Sequence, residues 1–254
     1  MAKTANPVQA PSLLLRLRRE FQGVADPDRA PKMQAYMKSS MPYHGVPATA
    51  LRAVCRQVYG QIELPSAAEF RGQVLAIWRQ AQFREERYAA IELTGHRLAR
   101  RFQDMDAVPM YEEMIVSGAW WDYVDVLATN RLSAILQKEP VAMAALMRSW
   151  SRCDDLWKRR SAILCQLPRK QNTDLGLLTD CIEPALPSRE FFLRKAIGWA
   201  LRHYARTDPA WVADYVHTHR AALSPLSQRE ALKHIGRRAG DDAEEDEGDD
   251  HAVG

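Results

Sequence analysis

No apolar run in the 254-residue chain approaches the ~20 residues that a membrane-spanning helix needs, which argues against an integral membrane protein. Glycine and proline are sparse, 12 and 14 residues, too few for a chain of many tight turns. Strict alternation of polar and apolar residues is also missing, so strands are not expected. There are four cysteines, Cys55, Cys153, Cys165 and Cys181, with no C-x-x-C and no close Cys/His spacing. They read as buried, reduced thiols of a cytoplasmic protein rather than as a disulfide framework or a zinc site. Of seven histidines only His217 and His219 lie close together, and no cysteine or carboxylate cluster joins them. Neither a metal nor a cofactor is expected. The opening MAKTANPVQAPSLLLRLRREF has a three-leucine core cut by Arg16 and Arg18, too short for a secretory signal.

What is present is a globular composition, 46% apolar and 26% charged, with charge unevenly placed. The last fourteen residues, DDAEEDEGDDHAVG, hold eight acidic residues and no Lys or Arg. Residues 1–240 therefore carry 35 basic against 24 acidic side chains, a net +11. A body that basic points to an anionic partner, with nucleic acid foremost. The acidic block has too little apolar content to bury a core and is expected to be disordered, as a solubilising end or as a tethered phosphate mimic. The expected layout is a flexible stretch over 1–11, one helical domain over 12–238 and an acidic tail over 239–254.

Apolar residues recur at three- and four-residue spacing over 13–21, 49–59, 70–80, 87–102, 108–116, 120–136, 141–150, 156–167 and 191–205. Ser66 with Glu69 and Ser227 with Glu230 fit the capping box, and Asp26-Pro27 fits a capped helix start. Gly60 and Pro168 sit where helices should stop. The fold class is all-α. A basic residue, any residue, alanine and a small or apolar residue recur at Arg87, Arg160, Arg194 and Arg229. With a further helix starting at Trp121, the interval is 34 to 39 residues, which fits two or three helices per unit stacked as a HEAT- or TPR-like solenoid. The concave face of such a stack is where a long anionic ligand would lie.

The most unusual local sequence is Ser117-Gly-Ala-Trp-Trp-Asp-Tyr-Val-Asp125. Trp121 and Asp125 are four apart and share a helical face. Trp120 points elsewhere and reads as core packing, while Asp122 suits the helix dipole. Arg160 opens a helix about one repeat later and reads either as a bond to a carbonyl of the neighbouring repeat or as a phosphate ligand. Trp199, one repeat further on with Arg202 on the next turn, reads as core by itself.

WWDYVD (120–125), LWKRRSAILCQL (156–167), FFLRKAIGWALRHYAR (191–206) and PLSQREALKHI (225–235) resemble the bacterial DNA alkylation repair glycosylases built from HEAT-like repeats. MQAYMKSSMPYHGVP (33–47) is similar to the same family's Tyr-Met-Lys segment and aromatic-x-Gly-apolar turn. The likeness extends over residues 12 to 238. It implies excision of N3- or N7-alkylated purines, such as 7-methylguanine and 3-methyladenine, from duplex DNA without extruding the base. It further implies that Asp125 is the catalytic carboxylate, that Trp121 and Trp199 contact the lesion's deoxyribose, that Tyr36 lies in the cleft, and that Arg160 lies near the backbone. Arg194 and Arg202, on the same face, are expected to hold phosphates.

Alkylation places positive charge on the purine and makes it a ready leaving group, so no general acid is required. What needs stabilising is an oxocarbenium-like sugar, and one carboxylate beside C1′ serves. That chemistry requires Asp125 to stand open to a groove bordered by Trp121 and Trp199. A solenoid on duplex DNA needs no partner chain, so a monomer is expected. A repeat scaffold that binds DNA or protein and catalyses nothing fits the basic body equally well, and release of free base separates the two.

Overall fold

A computed structural model describes residues 12–235. The stretch expected to be flexible, 1–11, and the expected acidic tail, 239–254, lie outside the described residues. Every regular element among the described residues is helical, as the 3.6-residue periodicity requires. No helix there is long and apolar enough to cross a membrane. The chain divides between Arg101 and Phe102 into two compact units, where the sequence reading ran a single domain.

The N-terminal unit holds α1 (Leu13–Gly23), α2 (Ala30–Tyr36), α3 (Ala48–Tyr59), α4 (Ala67–Gln80) and α5 (Arg84–Gly95). Leu17, Phe21, Phe70, Val74, Ile77, Trp78 and Leu93 are among its fully buried side chains. Ser66 caps α4 as expected, accepting from the Glu69 N–H at 3.1 Å. Asp26 instead caps a turn, accepting from the N–H groups of Asp28 and Arg29, and α2 starts only at Ala30. The periodic stretch 87–102 breaks at Gly95, beyond which a 3-10 helix covers Arg97–Phe102.

Two adjacent buried carboxylates organise this unit. Glu85 accepts from three successive backbone N–H groups, those of His44, Gly45 and Val46, at 2.9–3.1 Å. This fixes the Tyr43–Val46 turn. Gly45 has φ +83°, and a Cβ there would sit 2.0 Å from the Asp26 carbonyl oxygen, so only glycine closes the turn. Glu86 takes a bidentate Arg18 guanidinium at 2.8 and 3.1 Å and the Gln82 N–H at 2.7 Å, with His44 Nε2 at 3.8 Å. Burial pushes the Glu86 carboxyl up, but His44, Arg18 and the Gln82 amide together hold it at about 2, below the ordinary 4.5.

The C-terminal unit begins with a 3-10 turn (Met105–Ala107) and α6 (Val108–Gly118), followed by α7 (Trp121–Val126), a π-helical turn (Leu127–Leu132) and α8 (Ser133–Lys138). The periodic stretch 120–136 is thus one helical run with a bulge inside it. The Thr129 hydroxyl donates to the Asp125 carbonyl at 2.7 Å, competing with the backbone at that turn. Then come α9 (Pro140–Ser151), α10 (Leu156–Leu164), a 3-10 segment (Leu167–Asn172), α11 (Leu175–Ile182), a short 3-10 turn (Glu183–Ala185), α12 (Phe191–Ala205), α13 (Pro209–Thr218) and α14 (Pro225–Ala231). Helix α10 stops at Leu164, before Pro168, which lies inside the 3-10 segment.

The starts of α7, α10, α12 and α14 are 35, 35 and 34 residues apart, matching the recurrence in the sequence. The four cysteines are free thiols; Cys55, Cys165 and Cys181 are buried, and burial pushes the Cys55 and Cys181 thiols up to about 12.

Helix α14 locks α12 in place. A Cβ on Gly198 would lie 2.4 Å from Glu230 Cβ, so this glycine permits the close crossing. Ser227 is not the N-cap expected of it. Ser224 caps α14, accepting from the Ser227 N–H at 3.0 Å, and the buried Ser227 hydroxyl donates to the Arg194 carbonyl at 2.8 Å.

Glu86 makes the N-terminal unit acid-sensitive. Its folded value lies below the unfolded one, so its contribution is present above pH 4.5 and is lost as pH falls toward about 2. Urea unfolding followed by circular dichroism should show Glu86→Gln less stable than the parent at neutral pH, with the difference shrinking across that window.

Candidate functional site

Helix α7 opens after Ala119, a non-glycine residue in the left-handed region at φ +45° that ends α6. The sharp turn brings Trp120 to the N-cap of α7 and leaves Trp121, half-buried, in its first turn. Asp125 follows one turn later. Helix α10 is started by Asp155, whose carboxylate accepts from the N–H groups of Trp157 and Lys158 at 2.9 and 2.8 Å. It presents Trp157 and Arg160 on adjoining positions of one face.

The two helices meet in a buried ion pair. Arg160 Nε and Nη2 donate to Asp125 Oδ1 and Oδ2 at 2.6 and 2.7 Å, a bidentate fork, and Nη1 donates to the Phe192 carbonyl at 2.6 Å. One guanidinium therefore ties α7, α10 and the first turn of α12. Asp125 is 1% exposed and Arg160 3%. Burial pushes the Asp125 carboxyl above the ordinary carboxylate range, Arg160 opposes that shift without cancelling it, and nearby Asp122 adds to it.

Beside the pair stands an aromatic wall. Trp157 and Phe192 have ring centroids 5.0 Å apart, Trp120 lies 5.6 Å from Phe192 and 6.2 Å from Trp157, and Phe191 continues the row to an exposed edge. Arg160 also lies over the Phe192 ring at 5.9 Å. Trp199 is two turns along α12 from Phe192 and largely buried, with His203 edge-on to it at 5.9 Å. The indole N–H groups of Trp120 and Trp199 are buried without a hydrogen-bond partner among the described residues.

Several expectations change on this geometry. Asp125 does not stand open to a groove; the Arg160 guanidinium covers it, because an uncompensated carboxylate among packed helices would be costly. Arg160 was left between a neighbouring-repeat carbonyl and phosphate. It takes the carbonyl, and Asp125 with it, with no donor nitrogen free of a protein partner. Arg202 is buried at 8% exposure and faces Glu230 at 3.4 Å, because α14 supplies a carboxylate where solvent or DNA was expected. Arg194 spends its Nε on the Ser188 carbonyl at 2.9 Å. Trp120 is half-buried in the wall rather than sealed in the core. Tyr36 closes α2 in the N-terminal unit and is 78% exposed. Sequence reasoning missed Trp157 and Phe192; their spacings of three from Arg160 and seven from Trp199 were the available signal.

Removing one member of the pair strands the other. Arg160→Met should lower the unfolding free energy by about 3–5 kcal/mol, and the double variant Asp125→Leu, Arg160→Met should recover much of that loss. Urea titrations of the three proteins give both numbers.

The family model described as "DNA alkylation repair enzyme" matches residues 17–235. Among solved structures, a predicted DNA alkylation repair enzyme from Enterococcus faecalis is 29% identical with a TM-score of 0.76, the match covering 84% of this chain and 98% of that one. No curated protein matches the chain. On a match that takes in both units and the Asp125–Arg160 pair, the chain belongs to the DNA alkylation repair enzyme family.

Proposed function

We propose that the protein is a monofunctional DNA glycosylase that hydrolyses the N-glycosidic bond of cationic N3- or N7-alkylated purines, 7-methylguanine and 3-methyladenine among them, in duplex DNA. The observation that carries this reading is the Asp125–Arg160 pair: a carboxylate held in a desolvated wall against a positive charge. Such a setting is complementary to a developing sugar cation, which would take the place of the guanidinium. Family membership supports the substrate class.

Direct contact with C1′ requires Arg160 to turn away from Asp125. A phosphate flanking the lesion offers the guanidinium an equivalent bidentate partner, so DNA binding and exposure of the carboxylate are coupled. Water attacks C1′, the bond from C1′ to the purine nitrogen breaks, and its electron pair neutralises the alkylated base. The proton of the attacking water passes to Asp125 or to solvent. Trp121 and Trp199 flank the cationic sugar, each worth ~0.5–2 kcal/mol by cation–π attraction.

The helix pairs starting at α7, α10 and α12 are read as HEAT-like repeats with their site-bearing helices toward DNA. Arg202 reaches a phosphate by giving up Glu230, whereas Arg194 engages only its Nε, on the Ser188 carbonyl. No deep pocket for an extruded base is called for, so the lesion stays stacked. A monomer suffices.

The burial of Asp125 also favours a second reading, in which the pair is a structural clamp in a DNA-binding scaffold without catalysis. Chromatography of bases released from a duplex carrying 7-methylguanine separates the two. The glycosylase reading expects release by the parent, and release at least ~tenfold slower by Asp125→Asn with DNA binding retained. Equal turnover by that variant sinks the mechanism; binding with no release by the parent leaves the scaffold. Because the Asp125 carboxyl is held above its ordinary value, the rate should fall on acidification starting at a higher pH than for an ordinary carboxylate.

A further inference from the structure

At the far end of the α7–α8 run lies an open, polar cleft of about 330 Å³ that the proposed reaction does not use. Thr129, Asn130, Ser133 and Gln137 line one side, and Arg169 and Asn172 of the 3-10 segment line the other. Its lining holds hydroxyls, amides and one guanidinium, and no carboxylate. The Thr129 hydroxyl is spent on the Asp125 carbonyl, so the Ser133 hydroxyl, the Asn130, Gln137 and Asn172 amides and the Arg169 guanidinium are the donors, and a lining with one positive charge and no carboxylate suits an anion.

The cleft follows from two features of the fold. The π-helical turn 127–132 shifts the register behind Asp125, so Thr129 and Asn130 both come to the same opening. Opposite, Lys170 is a non-glycine residue at φ +49°, ψ −119°, a costly conformation. The strain is held by Gln166, whose side-chain amide accepts from the Asp174 N–H and donates to the Asp174 carbonyl, both at 2.9 Å, clamping the ends of the segment. Arg169 is oriented within it by donating to the Asn172 carbonyl at 3.2 Å.

Placement supplies the ligand. Asp125, Thr129, Ser133 and Gln137 succeed one another four residues apart, while Arg160, Leu164 and Pro168 do the same on the adjoining run. The cleft is therefore about 12 Å along the helices from the Asp125–Arg160 pair, taking eight residues of helical rise. For a DNA strand lying along these helices, with a phosphate every ~3.4 Å of helix axis, that is three to four nucleotides.

We propose that this cleft binds a backbone phosphodiester of the DNA three to four nucleotides from the site at Asp125. The inference rests on DNA being the substrate, but not on base excision. The test is the affinity of the full chain for an undamaged duplex over a salt series, read by fluorescence anisotropy. Arg169→Gln should reduce the slope of log affinity against log salt by ~0.9, the value for one lost phosphate contact on duplex DNA. Asn130→Asp, which leaves the Arg169–Asn172 contact intact, should weaken binding several-fold at low salt and hardly at all at high salt. Circular dichroism should show both variants folded.

Parent-like slope and affinity in both variants overturn the proposal, as does a parent that does not bind duplex DNA. A parent that binds but releases no base sinks the glycosylase reading alone, and the salt slopes still decide the cleft.

Discussion

The buried bidentate contact between Arg160 and Asp125 is the constraint on which the C-terminal unit turns. It joins α7 to α10 through two charge-assisted hydrogen bonds, and its third donor fixes the first turn of α12 at the Phe192 carbonyl. Replacing such a pair by apolar side chains is often neutral or stabilising, so stability alone is a weak reason to keep one. The guanidinium keeps the carboxylate from sitting unpaired in a low-dielectric wall.

The same logic changes what the basic excess means. Counted along the chain, residues 1–240 carry a net +11. In three dimensions five of the 35 basic side chains turn to four carboxylates. Arg18 serves Glu86, Arg160 serves Asp125, Arg202 and Lys195 serve Glu230, and Lys158 meets Glu112 at its side chain. These five basic and four acidic groups carry only one of the eleven net charges, so the excess that attracts an anionic partner resides on other side chains. Arg160 and Arg202 already have partners within the protein. In the reaction we propose, phosphate competes for them, which links association with the backbone to the state of the carboxylate.

The helices themselves were largely legible. Apolar spacing located α12 at its observed bounds, and it located α3, α6 and α9 to within two residues at either end. Ends decided by a single side chain were less so. Ser227 looked like an N-cap, yet Ser224 with Pro225 starts the helix one turn earlier and turns Ser227 inward to the Arg194 carbonyl. The bulge behind Asp125 was invisible, because periodicity within a few residues does not register one extra residue per turn. Helices α11 and α13, at eight and ten residues, lie outside the stretches that apolar spacing marked.

Of the candidate site, the residue types and the 35-residue interval could be read directly, because both are local properties of a repeating helical chain. Trp121 and Asp125 share a face by backbone geometry alone. Which cation would face Asp125, how deeply the two would be buried, and that Arg202 would be claimed by Glu230 depended on how helices a full repeat apart pack. Side-chain reach and desolvation settle those pairings, and neither is a function of spacing along the chain. The sequence determined a basic all-helical chain with a marked carboxylate; only the tertiary structure decided that this carboxylate is buried and closed over by an arginine.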